Sequence, residues 1–189
     1  MITVVSVHVG VRQVLSVGQR NVQTGIFKTR VDDQVAINRL GLAGDAVCDH
    51  RHHGGVDQAV YVYTEEDYAF WARQYRRPFD AGGFGENVVI RGLDAAELAI
   101  GDRLRLPNVT LEVSAPRIPC GVLATAVAEA AVVDSATTSA TRQGEVSVAA
   151  PALWHADTTI RRCVMAIAVA TANGNHSVHC TRGDVIVPH

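Results

Sequence analysis

Cys120 stands at the end of the stretch APRIPC, behind two prolines and an arginine. Pro116 and Pro119 fix their own φ and restrict the residues before them, so the segment is stiff and aims the side chain that follows it. Arg117 is permanently cationic, and a positive charge nearby favours a thiolate, the form of cysteine that attacks electrophiles or binds metals. A cysteine packed as a small apolar group fits the same letters.

Three further stretches join glycine to polar groups between short apolar runs: TGIFKTRV around Lys28, LGLAGDAVCDHRHHGG from Leu40 to Gly55, and GGFGENVVIRG from Gly82 to Gly92. Each suits a loop rim where backbone N–H donors and side chains gather, and each alone reads equally well as a tight turn. Lys28, Arg30, Arg51, His53 and Arg117 are basic groups on these loops. Brought together they form a pocket for a compact, multiply charged anion such as a phosphate, with Cys120 at its edge; left apart they are surface charges. In DHRHHGG, Asp49, His50, His52 and His53 are metal-donor types, but their spacing matches no zinc signature.

The elements that must position these loops read as strands. ITVVSVHVGV, AVYVY, NVVI, DRLRL and VTLEVS alternate or are rich in β-branched residues, the pattern of half-buried strands. One helix is plain in TEEDYAFWARQYRR: Thr64 caps it with Asp67 three residues on, Tyr68, Trp71 and Tyr75 share a face, and Pro78 ends it. The fold class is mainly β with a few short helices, and 189 residues suit a single domain over 1–189.

A net charge of −2 gives no reason to expect nucleic acid or an anionic membrane as a partner. No apolar run is long enough to cross a bilayer and no leader pattern opens the chain, so a cytoplasmic setting is the expectation. Cys48, Cys120, Cys163 and Cys180 form no C-x-x-C pair, and a cytosolic setting keeps them reduced.

In this order, from about Thr24 to Leu123, TGIFKTRV, GLAGDAVCDHRHHGGVDQAVYVYTEEDYAFWA, GGFGENVVIRGLDAAELAIGDRLRL and LEVSAPRIPC resemble the MOSC domain family, named after the C-terminal part of molybdenum cofactor sulfurase, and its stand-alone branch in particular. The resemblance implies a β-barrel-like domain that binds the molybdenum cofactor, a pterin carrying a dithiolene and a phosphate. The family's hallmark cysteine falls on Cys120, which would ligate the metal and take part in catalysis; soft thiolate donors suit such a centre. Lys28, His53, Asn87 and Arg117 match positions that would hold the phosphate and pterin. Asp45 would relay a proton, orient a basic neighbour or cap a turn.

Stand-alone members of this kind reduce N-hydroxylated compounds such as 6-N-hydroxylaminopurine to amines. That implies a small N-hydroxylated substrate and, since no flavin or nicotinamide fingerprint is present, electrons from a separate reductase. Two other readings stand beside it. One is a carrier of sulfur or cofactor, with Cys120 charged by a partner desulfurase that uses pyridoxal phosphate; the other is an inactive domain with a structural Cys120. The pattern fades from about Val127, where Leu153 is the only leucine and lysine, phenylalanine and tyrosine are absent. Only GEV at Gly144 and GDV at Gly183 echo the family's closing strands, which makes 127–189 a divergent tail or the product of a frameshift.

Overall fold

The computed structural model describes residues 2–106 and 109–128, and beyond them the strands at 165–170, 176–178 and 184–185. The GEV echo at Gly144, Cys163 and Cys180 lie outside the described residues, as does most of the tail from Val127. The architecture is mainly β with a principal helix, and a second helix runs over 121–128.

The five stretches with strand patterning all form strands: β1 (Ile2–Gly10), β7 (Val60–Thr64), β8 (Val88–Arg91), β9 (Arg103–Leu106) and β10 (Val109–Pro116). Shorter strands lie between them: β2 (Gln13–Val17), β3 (Arg20–Thr24), β4 (Lys28–Val31), β5 (Val35–Asn38) and β6 (Gly41–Leu42). From the tail come β11 (Met165–Ala170), β12 (His176–Val178) and β13 (Asp184–Val185). The main sheet runs β13-β1-β8-β7-β11-β10-β9, with β4 also paired to β1. Its path stays open: β9 and β13 lie at its two ends and approach each other, with no ladder between them among the described residues. A smaller sheet, β12-β5-β6, and the β2–β3 hairpin complete the strands.

Every pairing in the main sheet is antiparallel except β7 with β8. A parallel pair needs a crossover, and α1 (Glu65–Tyr75) supplies it. Thr64 caps α1 by accepting the Asp67 N–H at 3.0 Å, and the helix ends on Arg76 in a left-handed conformation with φ 54. Because side chains alternate across a strand, β7 and β8 feed two cores. Val60, Val62, Val88 and Ile90 join the main cluster, while Tyr61, Tyr63 and Val89 face a second one with Tyr68, Phe84 and Leu123. That second face carries the chemistry-bearing loops.

Candidate functional site

Lys28, Asp45, His53, Asn87, Arg117 and Cys120, drawn from four separate stretches of sequence, line one cavity of about 300 Å³. Arg30 and Arg51 do not line it: Arg30 pairs with the exposed Asp32 at 2.9 Å and Arg51 is exposed.

Two close backbone approaches bring the loops together. A Cβ on Gly10 would lie 2.2 Å from the Gly25 carbonyl oxygen, and one on Gly25 would lie 2.0 Å from that of Ala46. Only glycine lets the end of β1, the TGIF turn and the GLAGDA loop stack so closely. The Ala46 N–H then donates to the Gly10 carbonyl at 2.8 Å, which seats the neighbouring Asp45.

Asp45 and Lys28 form a buried ion pair. The ammonium donates to both carboxylate oxygens, at 2.6 and 2.7 Å, with side chains only 7% and 5% exposed. Burial pushes the lysine pKa below its ordinary value while Asp45 pulls it back up. The Asp45 carboxylate also accepts the Gly10 N–H at 2.7 Å and the Asn87 amide at 2.9 Å. Asn87, which precedes β8, uses both of its amide donors: the second donates to the His8 carbonyl at 3.3 Å, while its oxygen accepts the Tyr61 N–H at 3.1 Å.

Arg117 leaves the end of β10 and lies over the Tyr61 ring, its guanidinium carbon 5.0 Å from the centroid. No hydrogen bond or ion pair engages it among the described residues. Burial lowers its pKa from the ordinary arginine value, opposed by Tyr61 and Cys120. Cys120 is half-buried just before the 121–128 helix, where its carbonyl accepts the Ala124 N–H at 3.0 Å.

His53 sits in a turn that Asp49 caps, its own N–H donating to the Asp49 carbonyl at 2.9 Å. The Asp49 carboxylate accepts the Arg51 and His52 N–H groups, each at 3.2 Å, and meets the His52 ring nitrogen at 2.9 Å. The His53 Nδ1 atom is buried without a hydrogen-bond partner among the described residues. Burial lowers the His53 pKa, and Arg117 adds to the effect.

Sequence reasoning passed over four other contributors. Cys48 is a second free thiol in the cavity wall, and Tyr61 supports Arg117. Gly10 offers only backbone groups, its N–H to Asp45 and its carbonyl to Ala46, which no residue pattern advertises. Glu86, wholly buried, accepts the Tyr68 hydroxyl at 2.5 Å, the Phe84 N–H at 3.2 Å and the Gly82 N–H, and so folds the GGFGEN loop whose Phe84 and Gly85 line the cavity. The letters GEN were the signal available for it.

A family model described as "MOSC domain" matches residues 49–162, a span holding His53, Asn87, Arg117 and Cys120, with Lys28 and Asp45 upstream. The chain is 38% identical over 122 residues to the uncharacterized protein YflK of Bacillus subtilis, covering 65% of this chain and 55% of that protein. It is 37% identical over 100 residues to protein YiiM of Escherichia coli, covering 51% of this chain and 45% of that protein. A Gibberella moniliformis protein named "Reductase" is 35% identical over 103 residues, 52% of this chain and 18% of that protein. The chain thus spans about half the length of the first two relatives. In fold it is similar to the crystal structure of YiiM from Geobacillus stearothermophilus, with a TM-score of 0.62 at 23% identity over all of this chain and 76% of the other. Among the described residues no helix is long and apolar enough to cross a membrane.

Proposed function

Since this chain belongs to the MOSC domain family, which is associated with molybdenum-cofactor binding, we propose that its cavity holds that cofactor and that the protein reduces N-hydroxylated compounds to amines. The observation that carries this reading is one cavity wall with a guanidinium, Arg117, that no ion pair or hydrogen bond engages among the described residues, beside a free thiol, Cys120. The donor set fits the group: a thiol sulfur suits its soft metal, a fork of N–H donors suits its phosphate, and the orphaned His53 Nδ1 is a further polar atom for the pterin. The kinship with a protein named "Reductase" agrees with a redox role.

When bound, the cofactor supplies two electrons, and with two protons these convert the N–OH group to an N–H group and water. The chain's own part is to bind and orient. Cys120 would hold the metal, with its backbone anchored on the 121–128 helix. Arg117, braced by Tyr61, would hold the anionic end. Asn87, Asp45 and Lys28 form the cavity floor, their mutual bonds keeping the GEN and GLAGDA loops at a fixed separation. In this reading the protein is cytoplasmic and takes electrons from a separate reductase.

Cys48 favours a second reading, a carrier, because two thiols in one wall suit sulfur handling. There Cys120 would receive sulfur from a desulfurase that uses pyridoxal phosphate.

The decisive experiment is to purify the protein from a host that makes molybdenum cofactor and to measure molybdenum and pterin per chain beside Cys120→Ala. Near-stoichiometric metal that disappears in the variant is expected. A folded wild-type protein that stays empty would overturn the cofactor reading, and loading without reduction of a hydroxylamine by supplied electrons would favour the carrier.

A further inference from the structure

The cavity is lined by two strong cations, Lys28 and Arg117, but their surroundings differ. Two of the three ammonium donors of Lys28 lie on Asp45, at 2.6 and 2.7 Å, leaving one for the cavity. Asp45 is itself pinned by the Gly10 N–H at 2.7 Å and the Asn87 amide at 2.9 Å. Asn87 has no donor to spare, its second N–H going to the His8 carbonyl while its oxygen accepts the Tyr61 N–H. The other charged groups around Lys28 are Arg117, Glu86 and, across His8, Arg30. Glu86 is committed to Tyr68, Gly82 and Phe84, and Arg30 is committed to Asp32. Arg117 alone makes no ion pair or hydrogen bond among the described residues, although the Asp45 and Asp49 carboxylates in the same cavity lining act on it at longer range.

We propose that Asp45 is a positioning residue that sets the charge of the cavity: it neutralises Lys28, so that Arg117 is the group that recognises an oxyanion and Lys28 serves as a buried counter-ion. This deepens the preceding reading, on which it rests, by assigning Asp45 the task of taking Lys28 out of the contacts made to the anionic end of the cofactor. It differs from the assignment of Lys28 and Asn87 as direct contacts, because their hydrogen-bonding groups are largely spent within the protein. A buried pair of this kind can be replaced by neutral side chains with little loss, whereas removing one member leaves a bare charge.

Cofactor-free protein and inorganic phosphate provide the test, which is therefore independent of metal loading and turnover. Phosphate affinity is measured by calorimetry near neutral pH, with thermal unfolding confirming that each variant is folded. Arg117→Gln is expected to weaken binding by about tenfold or more, the loss of a charge-assisted pair. Lys28→Met alone should also weaken it, because the Asp45 carboxylate is then uncompensated at the cavity wall. Adding Asp45→Asn to Lys28→Met should restore affinity to within about threefold of wild type. Thermal unfolding separates this from a merely structural role, in which the affinities would follow the stabilities of the variants; an affinity loss in Lys28→Met that only mirrors its lost stability overturns the proposal. If Lys28 binds phosphate directly, the double variant stays as weak as Arg117→Gln and the proposal fails; it fails equally if wild type binds no phosphate. Should Lys28→Met not fold, the comparison of the double variant with Arg117→Gln still decides.

Discussion

The Tyr68 hydroxyl donates to the buried Glu86 carboxylate at 2.5 Å, and this bond ties α1 to the loop that lines the cavity. Tyr68 also stacks on Phe84, with centroids 5.0 Å apart and rings 10° from parallel. Tyr68→Phe keeps the stacking and removes the donor. A hydrogen bond to a charged or nearly charged acceptor contributes about 1.5–3 kcal/mol, so urea unfolding should show a loss of that size. An unchanged midpoint would mean that the Gly82 and Phe84 N–H groups satisfy Glu86 by themselves.

The same carboxylate gives stability a pH dependence. Burial pushes the Glu86 pKa up from 4.5 to about 7, against the pull of its donors. The folded protein therefore holds a proton there that the unfolded chain releases, and this contribution is lost as pH rises through that window. His8 does the opposite. Burial, with Arg30 and Lys28 adding, brings its pKa from 6.5 down to about 4, so its contribution is lost as pH falls through the interval. In wild type the two slopes oppose each other. In Glu86→Gln the opposing slope is gone, and with His8 and His53 acting in the same direction denaturant midpoints should climb from pH 4 to 6.5 more steeply than in wild type. A variant with the wild-type slope would show that Glu86 does not titrate there.

Gly10 is required for its lack of a side chain. Gly10→Ala places a methyl group 2.2 Å from the Gly25 carbonyl oxygen, where backbone must move, at a cost of about 3 kcal/mol or more. Gly44→Ala is the control: its Cβ meets nothing within 4 Å, but φ is +82, which costs about 1–2 kcal/mol. Chemical denaturation of the two variants should rank Gly10→Ala as the more damaging. Equal losses would show that the stacked loops yield easily.

Arg77 joins α1 to the helix that begins beside Cys120. Its guanidinium lies 4.1 Å from the centroid of the Phe79 ring and donates to the Val127 carbonyl at 3.0 Å. Arg77→Ala is expected to cost about 1–2 kcal/mol from these two contacts. The local signature is faster hydrogen exchange at the amides of Ala124 to Ala126, with those of β7 unchanged. Uniform acceleration across both would mean a global effect.

Much of the architecture was legible in the sequence, for a physical reason. A strand with one or both faces buried must carry apolar residues at alternate or successive positions, and β1, β7, β8, β9 and β10 do so. The hairpin β2–β3 escaped notice because its burial comes from little more than Leu15 and Thr24. α1 was legible to its cap, since Thr64 and Asp67 act locally. The convergence of six site residues on one cavity could be expected only from motif order, because Lys28 and Cys120 are far apart in the chain. Gly10 and the engagement of Asn87 could not be read at all, and for Glu86 the letters GEN were the only signal. They depend on backbone groups that packing brings near, and no side-chain pattern encodes those.

β11 lies between β7 and β10 in the main sheet, although 48 positions separate Met165 from Arg117. During synthesis the walls of the cavity therefore leave the ribosome well before the strand that bridges them. Until Ala170 emerges, β7 and β10 each present an unpaired edge; in the finished sheet β7 is buried throughout and β10 at alternate positions from Val109 to Val113. Long-range pairing of this sort slows folding and lengthens the interval in which open edges can capture another chain. Chaperone demand and yield on expression should consequently track the synthesis of β11 more closely than any substitution in the cavity itself.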